Sequence, residues 1–310
     1  MQLTPDNRKA LGRSAGWAAA YAGWIVVFKL VVLTLVTYFL VSSHRTGTGS
    51  GAPRFDDISE ILGSNEVTLM GVAALIFVVL VRAFNPITTT QTAEIFTGER
   101  FEKRFIPGFL HGAVIAMGVA FAFVVAGTHR YFGFLISFDD AALAIATITM
   151  RALALVSLAY CEEFIFRRKI PMQLNQFMNP VSASLVVAVL YCLVKAVQFD
   201  LGVMHFLTLF LLSVALSLRA NRDGDFTEGA GFVAALLVVF QSILSLPVFG
   251  NDFTGLVMIK FQGPTGDALE PTLHQSTLRL LTGGAGGPFS GLAFQFLLIL
   301  DIARGILRKK

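Results

Sequence analysis

Two adjacent carboxylates, Glu162 and Glu163, precede Arg167 by five and four positions inside a stretch that is otherwise apolar. Ionised groups at membrane depth are costly, so residues of this kind mark either a functional site or a tightly paired structural one. A carboxylate there can act as a general base on water, or it can neutralise a base on a neighbouring helix. Glu163 and Arg167 are spaced i, i+4 in the favourable order and share a helix face. Glu162 points about 100° away from Glu163 and meets a different neighbour. Arg167, Arg168 and Lys169 also read as the basic flank of a membrane span.

The elements that position these residues follow from composition. Of 310 residues, 55% are hydrophobic and 14% charged, which defines an integral membrane protein rather than a soluble enzyme. A bilayer core of about 30 Å needs roughly 20 apolar residues per helix, and such windows fall near 17–42, 67–83, 107–127, 141–172, 181–199, 203–219, 230–246 and 288–304. The expected fold is an all-α, polytopic transmembrane bundle of about eight spans, forming one membrane domain over 1–310 with the lipid bilayer as its first partner. Basic residues divide 16 to 5 between alternate connections, so the positive-inside bias puts both termini in the cytoplasm. The net charge of +4 is therefore topogenic. It forms no basic stripe with interleaved aromatics and gives no reason to expect nucleic acid. The first apolar run exceeds the core of a cleavable signal peptide and reads as a retained anchor. A bacterial inner membrane is the simplest location.

The motif Glu162-Glu163-x-x-x-Arg167 at a helix end, followed by a basic turn, resembles the first motif of the CPBP family: CAAX-type prenyl endopeptidases and bacteriocin-processing or Abi proteins. Asn179-Pro180, an apolar span with Tyr191 and Lys195, a polar turn at Asn221–Asp225 and a helix ending Gln241 to Ser245 follow in the family's order. The resemblance covers roughly 145–246, between N-terminal spans (1–144) and an outer loop with a last span (247–310). It implies an intramembrane endopeptidase fold in which Glu163 or Glu162 is the base, Arg167 is the first-motif arginine, and Lys195 and Gln241 occupy the oxyanion side. The family's second and third motifs carry histidine at these last two positions. Lysine and a glutamine amide can donate to an oxyanion, but neither replaces the proton shuttling of an imidazole.

Measured along the helices from a turn at Met178, Glu163 lies 15 residues before and Lys195 17 after. At about 1.5 Å per residue both lie about 23–25 Å from the turn, so they are level. Gln241 reaches a similar layer. The expectation is a buried Glu163–Lys195 ion pair where the enzymes hold glutamate, histidine and water, with the paired carboxylate a poorer base. Three readings stand open: a silent relative that binds membrane-protein partners, an active endopeptidase acting on a peptide substrate, and a small transporter or channel.

Other residues have plainer readings. His111 and His205 lack metal-ligand spacing and are core or interface residues, so neither metal nor cofactor is assigned. Cys161 and Cys192 read as small buried residues. Lys29 and Arg151 lie within apolar runs, where a long basic side chain near a helix end snorkels and one in the middle needs a partner. Asp139-Asp140 read as a helix N-cap, the Gly/Ser/Thr-rich stretch 42–53 as a mobile outer loop, and the glycine cluster 283–287 as a flexible lead-in to the last helix.

Overall fold

A computed structural model describes residues 5–45, 55–84, 101–134, 141–199, 201–249, 255–261 and 273–307. The helices are α1 (Pro5–Arg45), α2 (Phe55–Phe84), α3 (Ile106–Val125), α4 (Ala141–Glu163), α5 (Ile170–Leu174), α6 (Pro180–Gln198), α7 (Val203–Asp223), α8 (Thr227–Leu237), α9 (Leu273–Thr282) and α10 (Leu292–Leu307). Segments 102–125, 141–174, 180–198 and 203–223 and most of α1 are long and apolar enough to cross a bilayer, with shorter apolar helices at 66–81 and 227–243. The fold is thus an all-α polytopic membrane bundle. α1 runs to Arg45, past the expected loop start at Ser42. The remainder of that loop and the Asp139-Asp140 cap lie outside the described residues.

The α4 rod continues through a π-helical segment, Phe164–Lys169, into α5. Asn179 then reverses the chain: its side chain accepts from Ser182 N at 2.8 Å, and Pro180 supplies the fixed φ that starts a helix. Gly224, at φ 66°, caps α7 in the left-handed conformation that glycine tolerates. A second π-helical segment, Val238–Ile243, ends the α8 rod.

Close packing comes from small residues. The buried face of α3 is Gly108, Gly112, Ala116, Ala120 and Phe123, nearly a strict period of four. A Cβ on Gly112 would come within 2.5 Å of Phe232 O and 3.0 Å of the Ala235 Cβ, so glycine is what lets α3 and α8 touch backbone to backbone. Gly71 on α2 meets the carbonyl of Ala154 on α4 in the same way.

A short antiparallel pair, β1 (His129–Phe134) with β2 (Val257–Phe261), joins the connection after α3 to the one after α8. The hydropathy pattern gives no hint of this pair or of α9. The glycine cluster is an ordered turn rather than a flexible lead-in. Gly283, Gly284 and Gly287 all have positive φ, Ser290 Oγ donates to Gly283 O at 2.9 Å, and His205 Nε2 lies 2.9 Å from Gly286 O. The other single histidine, His111, packs on the Phe232 ring at 5.5 Å.

Candidate functional site

Glu162, Glu163, Arg167, Lys195 and Gln241 are all buried, each with at most 4% of its surface exposed. They do not form one cluster in the way their depth suggests.

The ion pair expected between Glu163 and Lys195 is made instead by Glu162. Lys195 Nζ lies 2.8 Å from Glu162 Oε2 and donates to Oε1 at 2.9 Å. The 100° between neighbouring helical positions decides this: Glu162 faces α1 and α6, while Glu163 is turned toward α7 and α8. Counting rise along two helices fixes depth, but which of two consecutive residues faces the neighbour depends on rotation about the axis.

Glu162 has three further donors. Gln198 Nε2 reaches Oε1 at 3.0 Å, the Tyr21 hydroxyl reaches it at 3.3 Å, and the Tyr191 hydroxyl lies 3.4 Å from Oε2. With Lys195 these fill the four or so acceptor sites of a carboxylate. Lys195 in turn sits among three rings, its Nζ 4.9 Å from the centroid of Phe249, 5.2 Å from Phe199 and 5.6 Å from Tyr191. Ring faces attract an ammonium, and the attraction grows when water is excluded. Tyr21 and Gln198 carry as much of this network as the motif residues do. Each is a polar residue in an apolar run of its helix, and that is the signal by which sequence reading could have found them.

Gln198 links the site outward. Its carbonyl accepts from Lys29 Nζ, which also pairs with Glu66 at 2.9 Å. Of the two alternatives for Lys29, pairing is the one observed, and α1, α2, α4 and α6 are tied by one polar chain.

Glu163 has a different environment. Arg167 Nη2 lies 3.4 Å from its Oε1, the i, i+4 contact read from the sequence, and the Arg167 guanidinium stacks 5.0 Å over the Tyr191 ring. Among the described residues Glu163 Oε2 accepts no hydrogen bond, nor does the Arg167 guanidinium donate one. The cleft beside Glu163 is lined by Leu216, Arg219, Asp225, Phe226 and Gly229 and is too tight to admit a water-sized sphere.

Gln241 lies in the π-helical segment 238–243, buried, with neither amide atom hydrogen-bonded among the described residues. It makes no bond to Lys195 or to either glutamate. Four residues on, Ser245 has φ 52°. Its Oγ accepts from Gly255 N at 2.8 Å and donates to Val257 O at 2.9 Å, so it fastens the helix end to the β2 strand. The first and third motif segments thus run into π-helical turns, which recur at functional sites. Lys195 Nζ, an ammonium already donating to Glu162, cannot ligate a cation.

Fold and site define the class: a polytopic helical membrane protein with a buried carboxylate–ammonium core. Residues 143–240 match the family described as Rce1-like, Type II CAAX prenyl endopeptidase Rce1-like. The match spans Glu162, Glu163, Arg167 and Lys195 and stops one residue short of Gln241. No curated protein and no solved structure matches the chain.

Proposed function

We propose that this Rce1-like protein is catalytically silent and acts as a partner-binding subunit within the membrane. The observation that carries the reading is the Glu162–Lys195 contact at 2.8 Å, closed by Tyr21, Tyr191 and Gln198. A general base must reach the proton it removes, directly or through one water, and Glu162 has no acceptor site left to offer one. The positions of the two motif histidines carry Lys195 and Gln241, neither of which cycles a proton as imidazole does. What remains is a helical scaffold fixed by buried charge. The basic-residue bias supports both termini in the cytoplasm, and a bacterial inner membrane is the location that fits it most simply.

One observation favours an active endopeptidase instead: among the described residues Glu163 Oε2 is unbonded, and it would be open to a water if α7 and α8 moved apart. The two readings separate in a cleavage assay on a prenylated peptide in proteoliposomes. The silent reading expects no turnover from the native chain and a stoichiometric membrane-protein partner on purification in mild detergent. Turnover that disappears in Glu163→Gln retires it. Turnover gained only in Lys195→His supports it, because the replacement restores an imidazole and frees Glu162.

A further inference from the structure

A cavity of about 540 Å³ opens between α3, α7, α8 and α10, and shares Leu216 and Arg219 with the cleft beside Glu163. One part of its wall is apolar: Ile115, Leu212, Phe232, Phe294 and Leu298. The other part carries Arg219, Arg222, Asp223, Glu228, Asp301 and Arg304.

The two parts are ordered along the helices. α7 and α10 run parallel, fastened at the apolar end by Gln295 Nε2 donating to Thr208 Oγ1 at 3.0 Å and at the charged end by Arg219–Asp301 at 2.8 Å. From Leu212 to Arg222, and from Phe294 to Arg304, the wall changes from hydrocarbon to charge over about 15 Å. An apolar space does not hold water, which needs two to four polar partners. At this volume, typical of a ligand pocket, and beside lipid, its apolar part suits hydrocarbon.

The charges specify the head of that occupant. Asp301 is taken by Arg219, Asp223 by Arg222 at 2.7 Å, and Glu228 by Arg104 at 3.9 Å. Arg304 is exposed and has no ion-pair partner among the described residues. Among the described residues the charged end therefore keeps the Arg304 guanidinium outside any ion pair, the group best matched to a phosphate oxygen pair.

We propose that this cavity binds an anionic glycerophospholipid, with an acyl chain along the Leu212–Phe294 wall and the phosphate against Arg304. The test is photolabelling of the full-length protein in phosphatidylcholine nanodiscs doped with a photoactivatable, acyl-chain-diazirine phosphatidylglycerol, with the labelled peptides mapped by mass spectrometry. Labels concentrated in 212–218 and 294–301 are expected. Ala215→Phe, which fills the cavity, and Arg304→Glu, at an exposed position, should each lower labelling at least fivefold. Even labelling of all lipid-facing helices overturns the proposal, as does native-level labelling in Arg304→Glu. Displacement of the label by farnesylcysteine methyl ester but not by excess phosphatidylglycerol also overturns it, by assigning the cavity to a prenyl group.

Discussion

Lys195 reaches across from α6 to Glu162, at 2.8 Å, and leaves Glu163 to the weaker 3.4 Å contact with Arg167. Two neighbouring acids thus have separate duties. The first is saturated by donors from two helices, α1 and α6, and the second faces a cleft without space for water. Hydrolysis needs a carboxylate in contact with water, so the proposal of a silent protein rests on how these two acids are enclosed.

Removing the base should cost more than removing the pair. Lys195→Met leaves Glu162 buried and uncompensated, a loss of about 3–5 kcal/mol, read as a lower thermal midpoint and a fall in monodisperse yield in detergent. Adding Glu162→Gln should recover most of it. A double variant no better than the single one would show that the ion pair is not what holds these helices.

Gln241→Leu should raise the thermal midpoint. Its amide is buried with no hydrogen bond among the described residues, and a polar group in that state costs about 1–3 kcal/mol. Leucine of similar size removes the cost. A lowered midpoint would mean that the amide has a partner in the folded protein.

Gly112→Val should be among the most damaging single changes outside the site. A side chain there meets the backbone of Phe232, which cannot rotate away as a side-chain tip can. Overpacking typically costs about 1–3 kcal/mol, and separation of α3 from α8 should add to it. Gly118, beside open space on the same helix, is the control: Gly118→Val should be tolerated.

His129 should make stability depend on pH. It lies in β1, outside the spans, stacked on Phe123 with Nε2 unbonded among the described residues, and burial lowers its pKa to about 4. Above about 6.5, the ordinary value, the imidazole is neutral folded or unfolded and makes no difference. Between 6.5 and 4 only the unfolded chain takes the proton, so stability falls with falling pH and levels off below about 4. Thermal melts of native and His129→Phe protein from pH 7.5 to 4 should diverge over that window. Parallel curves would remove His129 as the cause.

Much of the fold is legible in the chain because lipid imposes a simple rule. With no water to satisfy the backbone, apolar runs must be helices, and the runs near 107–127, 181–199 and 203–219 correspond closely to α3, α6 and α7. The Asn179-Pro180 turn was equally plain, being a side-chain cap beside a proline. The β1–β2 pair was not, since its partners stand more than 120 residues apart and neither strand has a marked alternation.

What the sequence determined by itself was the bilayer, the helices and the presence of buried charge at one depth, all of which follow from residue type and a rise of about 1.5 Å per residue. The tertiary structure decided which charges meet. Helix rotation chose Glu162 over Glu163 for Lys195, and distant residues on α1 and α6, Tyr21 and Gln198, completed the shell. Rotation and pairing are set by packing among small residues such as Gly71, Gly108 and Gly112. Those contacts lie between helices, and no single helix specifies them.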